Sequence, residues 1–156
     1  GVAIPDEFGR LHEISTRIEA AFAHSPTPPV PCHNDLLPGN VLFTATGARL
    51  LDYEYSGMND RWFDLANLSV NCGLDPAADE HLLQLYFGGV TRQRWARLQL
   101  MKIMSELREG MWAVVQQAIS TLDTDFVGYA TQRLENAEHL AAQPDFSRLL
   151  DEASTR

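Results

Sequence analysis

Cysteine is nearly missing from this 156-residue chain: Cys32 and Cys72 are the only two, and they lie far apart. That spacing excludes a CxxC redox pair, a disulfide scaffold and a thiolate metal site, and it fits a reducing cytosol. Cationic residues are also few. Twelve Lys and Arg against 21 Asp and Glu leave a formal net charge of −9. A polyphosphate backbone needs clustered cations to displace its counterions, so no nucleic-acid partner is expected, and a cationic small molecule suits the chain better. No apolar run approaches the roughly 20 residues that cross a bilayer. The opening GVAIPDEFGR also lacks the basic start and apolar middle of a secretory signal. No membrane partner is expected, and a cytoplasmic location is the default. His12, His24, His81 and His139 show no ligand spacing, so no zinc site is expected.

What the chain does have is apolar content, 45% of its residues. That suffices for one sizeable core, hence one domain or one lobe of something larger. Leu11, Ile14, Ile18 and Phe22 recur at spacings of three and four, which predicts a helix over about Glu7 to Ala23. Ser25-Pro26-Thr27-Pro28-Pro29 ends it, because proline forbids continuation. Two apolar runs, Val41-Leu42-Phe43 and Ala48-Arg49-Leu50-Leu51, flank Thr44-Ala45-Thr46-Gly47 and read as a β-hairpin. From Asp60 onward the pattern is helical, with breaks near Asn71-Cys72-Gly73 and at Gly88-Gly89 and a helix start at Asp75-Pro76. Leu100, Met101, Met104, Leu107, Met111, Val115 and Ile119 stripe one long helix that passes through Gly110. A last helix is expected from Phe126 to about Ala142, with a frayed tail after Asp145. The fold class is therefore mainly α, a helical body with one small hairpin near its start.

Two polar clusters flank that hairpin. His33-Asn34-Asp35-Leu36-Leu37-Pro38-Gly39-Asn40 ends where the first strand begins, and Asp52-Tyr53-Glu54 begins where the second strand ends. A hairpin brings the ends of its strands together, so Asp35, Asn40 and Asp52 should meet. An Asp followed five residues later by an Asn, with a further Asp past the next strand pair, is the spacing of a protein-kinase catalytic loop. On that reading Asp35 is the base or positions the attacking hydroxyl. Asn40 and Asp52 would hold Mg²⁺, which prefers oxygen ligands, against the phosphates of ATP.

HNDLLPGN followed by LLDYEYSGMNDRWFDLAN resembles the motif pair of the choline/ethanolamine kinase and aminoglycoside phosphotransferase superfamily, and its continuation is most similar to bacterial choline-kinase-like proteins. The likeness is strong over Pro31 to Asn71 and weaker over Met111 to Ile119. It implies the helical C-terminal lobe of a protein-kinase-like fold, with Asp35 in the catalytic position. It implies Asn40 and Asp52 as ligands of Mg²⁺ and the nucleotide, and Glu54 as a helper through a second metal or a bound water. Tyr55 and Trp112 fall where aromatic residues surround a quaternary ammonium, with Tyr129 as a third wall; cation–π attraction supplies the physical reason. Asp64 matches an acidic residue expected to anchor the loop after the metal site, and His33 one that packs and holds its own loop.

Two departures bear on the acceptor. Glu109 stands where choline kinases of higher organisms carry a second tryptophan, and Asn71 where they carry an acidic residue. Glu109 would still supply negative charge, with Asp60 and Glu106 as further acidic candidates near the pocket. Trp62, Trp95 and the methionine stripe read as packing residues. Residues 1–156 thus read as the catalytic, acceptor-binding lobe, separated from an N-terminal nucleotide-binding lobe and inactive alone. The surface so exposed predicts a homodimer or poor solubility. The expected activity is ATP-dependent phosphotransfer to a small cationic alcohol such as choline. The alternatives are a non-catalytic binding lobe, or a kinase for an aminoglycoside, a sugar or a thiamine-like alcohol.

Overall fold

The computed structural model describes residues 1–155. Helix α1 (Phe8–Ala23) leads through the proline segment into strand β1 (Val30–Cys32) and one turn of 3-10 helix (Pro38–Asn40). The hairpin follows as β2 (Val41–Thr44) and β3 (Gly47–Leu50), then β4 (Gly57–Asn59). Five helices complete the chain: α2 (Arg61–Cys72), α3 (Pro76–Phe87), α4 (Arg92–Ile119), α5 (Phe126–Ala141) and α6 (Phe146–Ser154).

The helix starts follow from local chemistry. Asp60, Asp75, Thr91 and Asp125 each turn a side-chain oxygen onto a backbone N–H of the first turn of α2, α3, α4 and α5. Gly73 and Gly88 end α2 and α3 in the left-handed region, where a side chain would strain the backbone. The long helix α4 is the axis of the body, packed by α1, α2, α5 and α6. Its apolar stripe meets Leu11 and Ile18 from α1, Leu134 from α5, and Phe146 and Leu149 from α6 in one buried cluster. Full burial of such a side chain contributes about 1.5–3 kcal/mol, so this cluster is a main source of the body's stability. Trp62 stacks on Phe87 with centroids 4.8 Å apart, and Trp95 packs on the same side of the core. No helix among the described residues is long and apolar enough to cross a membrane.

Two features depart from the sequence expectation. The tail after Asp145 does not fray: it forms α6, which buries Phe146, Leu149 and Ala153 on one face. There is also a second sheet, in which β1 pairs antiparallel with β4 through Val30–Asn59, Pro31–Met58 and Cys32–Gly57. The expected hairpin is present with Val41 opposite Leu50 and Thr44 opposite Gly47. Together the two sheets fasten the loops on either side of the hairpin, at β1 and at β4, close to the start of α2. Burial pushes the Cys32 thiol at the end of β1 up to about 11, helped by the negative charges of Asp64 and Asp60.

Candidate active site

The loop that leaves β1 is held by acceptors aimed at its backbone. The N–H groups of His33 and Asn34 donate to the two carboxylate oxygens of Asp64, at 2.7 and 2.8 Å. Asp64 lies in the first turn of α2, so it anchors the loop before the hairpin and not the loop after Asp52, which corrects the expectation from sequence. The β1–β4 pairing explains the difference, because it seats the start of α2 beside the exit of β1. Leu36 N–H donates to Asn67 Oδ1 at 2.6 Å, and the amide of Asn67 donates onward to Ser105 Oγ at 3.1 Å and Glu109 Oε1 at 3.4 Å on α4. His33 is buried, and its Nε2–H donates to Leu51 O at 2.8 Å. It therefore ties its loop to the end of β3, in the holding role expected of it.

Asp35 and Asn40 come together. Asn40 Nδ2 donates to Asp35 O at 3.0 Å and to Asp35 Oδ2 at 3.2 Å. Leu51 N–H donates to Asn40 O at 2.9 Å, so Asp52 leaves the hairpin directly beside Asn40. The two non-glycine residues with positive φ, Asn34 at 65° and Asp52 at 62°, lie one in each polar cluster. Asn and Asp tolerate this region best, and its strain concentrates where a geometry is imposed. Asn34 also clamps the second cluster: its Nδ2 donates to Tyr55 O at 2.9 Å, and its Oδ1 accepts from Asn59 Nδ2 at 2.8 Å.

The donor set fits Mg²⁺. Asn40 turns its nitrogen toward Asp35, which leaves its carbonyl oxygen available, and the exposed Asp52 carboxylate takes no side-chain hydrogen bond among the described residues. Both are hard oxygen donors of the kind Mg²⁺ selects. Burial raises the Asp35 carboxyl above its ordinary range, and Glu109 adds to the rise, while Arg108, Asn40 and His33 pull it back. A carboxylate shifted upward is a better proton acceptor.

Asp35 opens onto a cavity of about 450 Å³, walled by Leu37 and Pro38 on one side and by residues of α4 and α5 on the other. Tyr55, Trp112, Tyr129, Glu109 and Glu54 all line it, and Asp52 stands outside that lining. Trp112 Nε1–H donates to the Tyr55 hydroxyl at 3.2 Å, and the indole meets Phe126 and Tyr129 edge-on, at 72° and 76°. Glu109 is buried and already engaged: it accepts from Arg108 Nη1 at 2.6 Å and from the Tyr129 hydroxyl at 3.2 Å. Burial beside that carboxylate raises the Tyr129 phenol above its ordinary value.

Asp60 is not near this cavity, since its side chain is spent capping α2. Glu106 stands behind the wall, paired at 3.1 Å with Arg133, whose other nitrogen donates to Asn71 Oδ1 at 2.9 Å. Four residues thus matter here that have no individual role on the sequence reading: Asn34, Asn67, Arg108 and Arg133. A polar Asn67 among the apolar residues of an amphipathic helix is the one visible signal. The arginines carry none: Arg133 pairs with Glu106 and Asn71 on other elements, and the reach of Arg108 to Tyr55 and Asp35 crosses from α4 to the loops.

A model of the phosphotransferase enzyme family matches residues 3–101. Protein LicA of Haemophilus influenzae is 31% identical over 111 residues, covering 69% of this chain and 42% of that protein. Human ethanolamine kinase 2 is 31% identical over 144 residues, covering 79% of this chain and 37% of the kinase. The crystal structure of a choline/ethanolamine kinase family protein from Mesorhizobium loti superposes with a TM-score of 0.90 at 33% identity, covering 99% of this chain and 53% of that one. The chain therefore spans about half or less of the length of these relatives.

Proposed function

The chain belongs to the phosphotransferase enzyme family, and from that premise we propose that it is the catalytic, acceptor-binding lobe of an ATP- and Mg²⁺-dependent kinase for a small amino alcohol. The observation that carries this reading is the pairing of Asp35 with Asn40 at the mouth of an aromatic-walled cavity. An acceptor in the cavity presents its hydroxyl to the Asp35 carboxylate, which orients it and takes its proton as the bond from the acceptor oxygen to the γ-phosphorus forms and the bond from that phosphorus to the departing ADP oxygen breaks. Asn40 and Asp52 would hold the metal, and bound Mg²⁺ would neutralise charge on the nucleotide phosphates. Trp112 and the two tyrosines exclude water from the acceptor side.

The amino-alcohol class rests on relatives named as choline and ethanolamine kinases and on the aromatic cavity wall. A separate lobe that covers the phosphates is part of the proposal. The greater length of the relatives supports it, as does the exposed apolar face of the hairpin. A cytoplasmic setting suits both ATP and the free thiols of Cys32 and Cys72.

In the full-length parent, Asp35→Ala and Asp52→Ala should each lower phosphotransfer at least about a hundredfold. Unchanged turnover in either variant removes the catalytic role of Asp35 or the metal-binding role of Asp52. A second reading, a binding lobe without catalysis, is favoured by the cavity being walled within this chain. Calorimetry on the chain separates the two: amino-alcohol binding without Mg-ATP binding supports the second reading, and Mg-ATP binding opposes it.

A further inference from the structure

We propose that Arg108 is a specificity-determining residue of this cavity, an internal cation laid on the face of Tyr55 that favours a primary-ammonium acceptor over a trimethylammonium one. The inference rests on the amino-alcohol reading and adds to it which amine the site prefers. A trimethylammonium group has no N–H to donate. It is held by aromatic faces within about 6 Å of the cation. Two of the three rings that would serve are already taken. The guanidinium carbon of Arg108 stands 5.0 Å from the Tyr55 centroid, and that of Arg133 stands 4.9 Å from the Tyr129 centroid.

A cavity carboxylate beside those rings is taken as well. Glu109 accepts from Arg108, Tyr129 and Asn67, so it has little left for a second cation. Arg108 Nη1 also lies 3.7 Å from Asp35 Oδ1. The side chain thus spans from the reacting carboxylate to the aromatic wall, across the ground that a bulky ammonium needs. A trimethylammonium must displace this guanidinium to reach Tyr55.

A primary ammonium meets different terms. It brings three N–H donors and little bulk, and the Glu54 carboxylate on the cavity wall can accept from it while Arg108 stays in place. Of the two arginines, Arg108 is the one whose removal frees a ring. Arg133 is fixed by Glu106 and Asn71 deeper in the wall, whereas the Arg108 side chain is 29% exposed and, among the described residues, hydrogen-bonds to Glu109 alone.

The test is calorimetric binding of ethanolamine and of choline to the chain and to R108M, which keeps the length of the stem and removes the cation. The unaltered chain should bind ethanolamine more tightly, and R108M should shift the ratio of the two dissociation constants toward choline by about tenfold. R108K, which keeps the charge but loses the planar face, should fall between them. If circular dichroism shows R108M unfolded, R108K decides alone, with a shift of a few-fold expected. An unchanged ratio in the folded variant overturns the inference, and so does failure of both ligands to bind. Neither measurement involves nucleotide. An unchanged ratio beside a dead Asp35→Ala enzyme removes this inference only, and a shifted ratio beside an unaffected Asp35→Ala enzyme removes only the proposed chemistry.

Discussion

The loop that carries Asp35 and the hairpin that carries Asp52 meet at one site but are held in opposite ways. The first is pinned from below: its backbone N–H groups bond to Asp64 and Asn67, and Cys32, His33 and Leu36 are buried. The second is open to solvent, and every residue from Leu42 to Asp52 is exposed. A two-stranded hairpin is marginal by itself. This one is tied at its base, through Leu51 N–H to Asn40 O and His33 Nε2–H to Leu51 O. Asp35 and its hydrogen-bond partner Asn40, the proposed hydroxyl-orienting group and a proposed metal ligand, lie on the pinned side. The proposed metal ligand Asp52 lies on the loose side, where phosphates and a metal would complete its surroundings.

The largest effect should come from cutting the pin. Asp64→Ala strips the acceptor from two backbone N–H groups at once. A hydrogen bond to a charged partner contributes about 1.5–3 kcal/mol, so a loss of about 3 kcal/mol is expected in urea unfolding. Amide exchange should quicken at His33 and Asn34 before it quickens in α4. A uniform loss of protection across the chain would mean that the loop is not separately anchored.

The pinned side is only half legible in the sequence. The Asp35 and Asn40 spacing is visible because it lies within one short segment, as is the hairpin, with its two apolar runs about a turn. The β1–β4 pair is not: three residues per strand, one of them Pro31, give no alternation to read, and the pairing crosses the whole hairpin. Asp64 reads as the anchor of the wrong loop for the same reason, since its partners are set by that pairing. Helix α6 has its signal in Phe146, Leu149 and Ala153, at helical spacing, but the segment is short and interrupted by Arg148, Asp151 and Glu152. The cation on Tyr55 depends on the rotamer of Arg108, which no pattern reports.

A middle-sized effect tests the floor under the pinned loop. Gly110 lies inside α4, where an added Cβ would come within 2.7 Å of Leu134 Cδ2 and 2.8 Å of Cγ. Helical glycine is ordinarily worth replacing by alanine, with a gain of about 1 kcal/mol. Here the close approach of α5 reverses the sign, and Gly110→Ala should destabilise by about 1–3 kcal/mol through overpacking. Because α4 carries Ser105, Arg108, Glu109 and Trp112, the same change should weaken amino-alcohol binding in the cavity. A stabilised variant would mean that α5 gives way freely and that the cavity wall is softer than its burial implies.

The smallest effect on stability belongs to the loose side. Phe43 is 82% exposed and Leu42 50%, so neither contributes to a core. Phe43→Ser should change unfolding free energy by no more than about 0.5 kcal/mol. Its effect should appear in association instead. An exposed apolar strand pair draws copies of the chain together, so light scattering on the unaltered chain should show a dimer or larger species. Phe43→Ser should shift it toward monomer with the unfolding midpoint unmoved. If the midpoint falls by several degrees, the hairpin is more firmly seated than its exposure indicates, and Asp52 would then be fixed before any ligand binds. If the unaltered chain is already monomeric, the exposed face does not pair with itself, and its apolar residues remain available to the proposed second lobe.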